Sequence, residues 1–481
     1  MKFKQLLPAV TLIIWSCMVG NATADLTINY DFTPNTAVPD YAQQDPYLSD
    51  VRTLGGLSGL TTFSNVVTRL NLTSANSNDP MWLGDMYSSL TFGTSSETQR
   101  IAVLLNRPGV NNSDPFGSGL STLNVTLDNS ASTNVWGTTS SSGTYLADGR
   151  LSVNPYGNGV AFASGSNGLD ALNGTHLTSD RVSLLVADTA TGGTATLSGW
   201  GVSVSGTAAS SGSFTPGANA SISDTTGANN NVGAKLDTTG ANSAAGGTLK
   251  VDLSGTTTFT NGVTGSGGLY KTGAGKLVLA GTIDYSGITT VNGGSLAVNG
   301  TSTGTGAVTV NNAGTKLMGN GTVGGNTTIN SGATLAPGNN SVGQENFTHD
   351  LTLNTGSIFE WEIDRTQTQT RGIGYDAVDV SGTLSGAGAV FRIVIGDSAF
   401  DQMFWSTNRT WSDIFNGSRD LASIFSGGFQ YSVPLASQGS FTWDTNSTLK
   451  WTPQSGATFV PEPSTALAGL LLAAGLLRRR R

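Results

Sequence analysis

Charge and sulfur are what this sequence has least of. Charged residues make up 11% of its 481 residues, and it holds one cysteine and two histidines. Because that cysteine, Cys17, lies in the N-terminal stretch, neither disulfides nor thiolate metal sites are expected in the rest of the chain. His176 and His349 are far apart in sequence, so a histidine triad or a histidine-based metal centre is not expected either. A formal net charge of −8, with no basic patch outside the termini, argues against nucleic acid as a partner. The shortage of Lys and Glu also argues against helical bundles.

What is abundant is glycine, at 65 residues, together with Ser, Thr and Asn. Turn-formers alternating with β-branched residues favour many short strands, so the expected class is all-β. At the N-terminus, Lys2 and Lys4 precede an apolar run from Leu6 to Met18, and Ala22-Thr23-Ala24 offers small residues before Asp25. This is the pattern of a secretory signal peptide cleaved between Ala24 and Asp25.

The last residues run Val460-Pro461-Glu462-Pro463-Ser464, then an apolar stretch from Ala466 to Leu477, then Arg478, Arg479, Arg480 and Arg481. Two prolines keep the first part extended, as suits a peptide offered to another protein's cleft. The apolar stretch reaches roughly 18–20 Å as a helix, short of a bilayer's roughly 30 Å hydrocarbon core. Four arginines stay on the cytoplasmic side. This order resembles the PEP-CTERM sorting signal, and the resemblance implies recognition by exosortase, a membrane-embedded transpeptidase-like enzyme of Gram-negative bacteria that make extracellular polysaccharide. The inner membrane would then be a transient partner, with the cell surface or matrix as destination.

Between the termini, strand-like segments recur at Asn65 to Leu72, Ile101 to Leu105, Leu123 to Leu127, Val182 to Val186 and Ala195 to Val204. The stretches 65–73, Leu83-Gly84-Asp85, 101–109, 121–131 and 183–204 resemble the P-domain of proprotein convertases. That implies a jelly-roll β-sandwich, with Ser198, Trp200 and Val202 alternating on its last strand. A Gly/Ser-rich insertion at 137–176 departs from the family pattern. No protease domain accompanies the module, so its fold carries over and proteolysis does not. Relatives sometimes hold calcium, and the resemblance makes Asp79, Asp85, Asp114 and Asp128 possible oxygen ligands; loop aspartates also form Asx turns.

Residues 207–219 read as a flexible linker by composition. Beyond them, short triplets bounded by Gly or Asn repeat: Lys250 to Leu253, Lys276 to Leu279, Thr290-Val291, Ser295 to Val298, Ala307 to Val310, Thr327 to Ile329 and Leu351 to Leu353. Strands this brief bury a face only by stacking, which predicts a parallel β-solenoid filled by aliphatic ladders. Gly265 to Gly300 resembles the autotransporter-associated β-strand repeat, implying a stiff extracellular spacer. No membrane barrel is expected after it, and so no self-transport. From 356 to 458 larger residues suggest a β cap, with Phe359, Trp361 and Ile363 facing inward and one short helix within Met403 to Phe415 capped by Ser412.

Several patterns bear on chemistry. Glu360, Glu362 and Asp364 share one strand face, which on a β-helix suggests a polysaccharide-acting enzyme or a solvated surface. Gly300 to Gly304 matches G-x-S-x-G but, without a strand–turn–helix context, reads as a chance match in a chain rich in Gly, Ser and Thr, whereas Gly273 to Lys276 looks like a phosphate loop but has Tyr270 where the first glycine should be and reads as a solenoid turn. Trp82, Trp136, Trp405 and Trp411 are candidates for stacking on sugar rings or for core packing.

The expected organisation is therefore a signal peptide (1–24), a P-domain-like sandwich (25–206), a linker (207–219), a β-solenoid (220–355), a β cap (356–458) and a sorting signal with a short transmembrane helix (459–481). The expected role is a non-enzymatic, exported structural or adhesive protein of the surface or exopolysaccharide matrix. A glycan-acting enzyme and a glycan-binding module are the alternatives. No cofactor is expected apart from the calcium just named.

Overall fold

A computed structural model describes residues 25–457 except 42–46, 77, 94–98, 111–113, 115, 151–167, 178, 219, 225–228, 241–246, 365–369, 396–401 and 432. Ala24 and the whole tail from Val460 to Arg481 lie outside the described residues. Among the described residues no helix is long and apolar enough to cross a membrane.

The chain is all-β, as its composition predicts, with a parallel β-solenoid as its largest part. The N-terminal part is a sandwich of two mainly antiparallel sheets, the exception being the parallel pairing of Ser142–Tyr145 with Thr122–Leu127. One runs Tyr47–Thr53, Arg181–Asp188, Met86–Phe92, Arg100–Asn106 in spatial order. The other places Ser142–Tyr145, Thr122–Leu127, Leu60–Ser74, Ala195–Ala208 and Asp25–Phe32 side by side. The sheets meet through contacts such as Phe63 on Phe92, edge to face at 5.9 Å, and Trp200 Nε1 donating to Asp50 Oδ2 at 2.7 Å. All five strands expected here form. The alternation expected for Ser198, Trp200 and Val202 is broken by a bulge between Leu197 and Gly199. Trp200 and Val202 are buried, whereas Ser198 shares a hydrogen bond with Thr73 outside the core.

The solenoid is joined to the sandwich by a shared strand. Asp25–Phe32 pairs antiparallel with Ala195–Ala208 on one side and with Ala220–Asp224, the first strand of one solenoid face, on the other. That face continues in parallel through Thr248–Asp252, Gly268–Thr272, Thr289–Val291, Val308–Val310, Thr327–Ile329, Leu351–Leu353 and Leu384–Gly386. The second and third faces are parallel sheets of eight and nine strands. The stretch 207–219 is built into this junction: Ser213–Phe214 stacks on Lys235–Asp237, and the Phe214 ring is buried.

Stacking in register builds the interior ladders that short strands require. Leu277, Leu296, Leu317, Leu335, Phe359 and Phe391 stand one above another, all buried. Each rung buries its own aliphatics against its neighbours', at roughly 1.5–3 kcal/mol per large side chain. At one corner a second ladder is polar. Asn311 Nδ2 donates to Asn292 Oδ1 (2.8 Å), Asn330 Nδ2 to Asn311 Oδ1 (2.6 Å) and Asn354 Nδ2 to Asn330 Oδ1 (2.6 Å). Tight corners also need glycine: Gly262 has φ +86°, and a Cβ there would lie 1.9 Å from the Thr282 carbonyl oxygen.

The rungs run on past residue 355. Ile358–Ile363 and Val390–Ile395 pair in parallel as further rungs, and the part that closes the coil is 402–453. There a three-stranded antiparallel sheet and three single-turn helices build a buried chain of indoles, Trp411 packing on Trp361, Trp405 on Trp411 and Trp451 on Trp405. The last strand of the second face is covered by this part, since Val378 N donates to Ile414 O (2.8 Å) and Asn416 N to Val378 O (3.1 Å). Pairing an end edge in this way removes a template for association. The expected short helix is Gln402–Trp405, but Ser412 caps nothing; its carbonyl accepts from the Tyr375 hydroxyl. Asp420 instead caps Leu421–Ile424, accepting from Ser423 N.

Candidate functional site

The sandwich carries an open cleft beside Trp136. A short 3-10 turn, Val135–Gly137, drives Val135 into the core and leaves Trp136 45% exposed. Asn134 Oδ1 accepts from Trp136 N at 2.9 Å, Val135 N donates to Leu146 O, and Gly109 N donates to Trp136 O at 2.7 Å, so the turn is held on several sides. The Arg150 guanidinium lies 5.5 Å from the indole centroid and is itself buried in an ion pair with Asp148. The cleft, about 460 Å³, is lined by Thr133, Asn134, Thr138, Thr139, Ser140 and Tyr145 as well as the indole.

Two pairs of buried carboxyls lie elsewhere. In the sandwich, Asp85 and Asp188 are almost wholly buried, and Asp85 Oδ1 and Asp188 Oδ2 each lack a hydrogen-bond partner. Burial raises Asp85 to about 6 against the pull of Arg107, and raises Asp188 to about 7 with help from the negative charges of Asp85 and Asp40. In the last rungs, Glu345 is wholly buried with both carboxyl oxygens unpartnered. Burial first, then the nearby Asp376, pushes its pKa well above the usual carboxyl range. Asp376 is raised too by burial, although it accepts from Gly343 N (2.8 Å) and Glu362 N (2.7 Å).

One buried cation also stands out. Lys271 occupies an inward ladder position between Val251 and Val291, and its Nζ donates to the carbonyls of Thr272 (2.5 Å), Gly273 (3.1 Å) and Gly293 (3.3 Å). Burial lowers it to about 8.

The residues singled out in the sequence fall as follows. Glu360 and Glu362 alternate outward with Phe359, Trp361 and Ile363 inward, as expected. Glu360 is no open acid, because Lys316 Nζ (2.7 Å) and Arg392 Nη1 (3.4 Å) pair with it. Gly273 to Lys276 is a solenoid corner, with Lys276 Nζ bonded to Asn339 Oδ1 at 3.0 Å, and Thr301–Ser302 of the G-x-S-x-G match is a two-residue strand. Trp405 and Trp411 belong to the core of the cap and are not available for stacking; Trp136 is exposed and Trp82 partly so. Asp79, Asp85, Asp114 and Asp128 do not converge, and no group of three or more His, Cys, Asp or Glu placed to hold a metal occurs among the described residues. Asp128 forms an Asx turn, accepting from Ser130 N at 2.8 Å.

Sequence reasoning missed Lys271, Glu345, Asp376 and the pairing of Asp85 with Asp188. For Glu345 a signal was present: it lies two residues from buried Phe347 on one strand, in phase with the interior.

Residues 269–298 match the passenger-associated-transport-repeat family model, within the stretch Gly265 to Gly300 that resembles such a repeat. No curated protein matches the chain. The repeat is associated with autotransporter passenger domains, and in this chain it is part of a continuous parallel coil. These findings define the class as a parallel β-helical chain that carries a repeat of the kind found in surface-exposed autotransporter passenger domains.

Proposed function

We propose that this is an exported structural or adhesive protein of the cell surface or exopolysaccharide matrix. In this reading the solenoid acts as a stiff spacer, and the tail from Val460 to Arg481 is a sorting signal for an exosortase-type transpeptidase. The observation that carries it is the passenger-type repeat embedded in a continuous parallel coil, one face of which begins against the sandwich and another of which ends against the aromatic cap. Edges covered in this way suit a monomeric spacer. The reading is non-enzymatic: Glu360 is tied up by two cations, and Glu345 and Asp376 are sealed from solvent. The test is deletion of residues 460–481, followed by surface labelling of native cells and mass spectrometry of the mature C-terminus. Loss of surface delivery, with cleavage ahead of the arginines in the unaltered protein, supports the role. Undiminished delivery of the truncated chain overturns it.

A further inference from the structure

We propose that the cleft beside Trp136 binds a neutral polysaccharide chain, with the indole as the stacking platform. Three observations converge. The indole is a large apolar surface left 45% exposed, and its turn is fixed by hydrogen bonds through Asn134, Leu146 and Gly109, so the backbone of the platform needs little ordering when a ligand arrives. Arg150 braces the ring from a buried position, which immobilises the platform. Hydroxyls line the cleft around it: Thr133, Thr139 and Ser140 are exposed, and Thr138 Oγ1 donates to the Tyr145 hydroxyl at 3.1 Å.

An aromatic face with neighbouring neutral donors and acceptors suits a pyranose ring, which presents apolar C–H groups on one face and hydroxyls at its edge. The cationic group at the cleft, Arg150, is already neutralised by Asp148, so the site offers no net positive charge to an acidic glycan or a phosphate backbone. The volume of about 460 Å³ accommodates one or two sugar rings. The inference deepens the matrix reading and rests on it for the source of the ligand.

The test is affinity gel electrophoresis of the mature, exported chain in gels containing a soluble neutral β-glucan, a galactomannan or alginate. Retardation by at least one neutral polymer is expected, weakened tenfold or more by Trp136→Ala and partly restored by Trp136→Tyr. Circular dichroism melting is expected to be unchanged in both variants, since the side chain is half exposed. Retardation that persists in Trp136→Ala overturns the proposal, as does retardation by alginate alone or by no polymer. Delivery of the unaltered chain to the surface is scored separately: normal delivery without retardation by a neutral polymer fails this site alone, and retardation together with undiminished delivery of a chain lacking residues 460–481 fails the sorting reading alone.

Discussion

Asn330 donates its side-chain amide to the Asn311 side-chain carbonyl, one rung below, at 2.6 Å. It also accepts from Asn354 one rung above, so it is an interior link of a directional amide chain. Truncation there removes two hydrogen bonds and leaves two half-satisfied partners. Asn330→Ala is expected to lower stability by about 1–2 kcal/mol, against roughly half that for Asn354→Ala at the chain's end. Urea unfolding of the two variants measures the difference, and equal effects would remove the ladder from the account of stability.

Lys271 makes the solenoid more stable in mild alkali. Its pKa falls from 10.5 to about 8 on folding because burial disfavours the charged form, so the folded chain holds fewer protons between those values. Stability then rises with pH across that window, by up to about 3 kcal/mol at full effect. Lys271→Met is expected to abolish the rise, as read by unfolding midpoints at pH 7 and pH 10.

The sandwich behaves in the opposite sense. Asp188 goes from 3.8 to about 7 on folding, so the folded state binds more protons than the unfolded state between those values. Stability falls as pH climbs through that interval and levels off above it. Asp188→Asn should flatten the fall, and Asp85→Asn should do so in part through the shared charge. Thermal melts between pH 4 and pH 8 check both; a variant that keeps the full slope would place the titration elsewhere.

Glu345→Gln offers a cleaner test of a buried acid. The carboxyl is raised far above its ordinary value of 4.5, so its stabilising protonated form is lost as pH rises. The amide keeps the shape and cannot ionise. The variant should gain stability over the unaltered protein at pH 8 and show little difference at pH 4, measured in guanidinium.

The repeat architecture was legible because a strand of three or four residues can bury itself in few other ways, and the expected strands Lys276 to Leu279 and Ser295 to Val298 form with those bounds. The Trp136 platform was visible only as one of four tryptophans, because linear sequence does not separate a side chain braced outside the core from Trp405 or Trp411 inside it. Asp85 ends the short turn just before the strand Met86–Phe92, whose Met86 pairs with Asp188 about a hundred residues further along the chain, a distance that local pattern does not bridge. Lys271 defeated pattern reading for another reason: its stem fits an aliphatic ladder while its ammonium finds carbonyls at the corner.

Asp25–Phe32 belongs to two neighbours at once, the last long strand of the sandwich and the opening strand of the coil. A joint of this kind has no pivot. A load on the amino-terminal lobe would therefore pass into the coil through main-chain hydrogen bonds on both sides of one strand, with no intervening linker to absorb it.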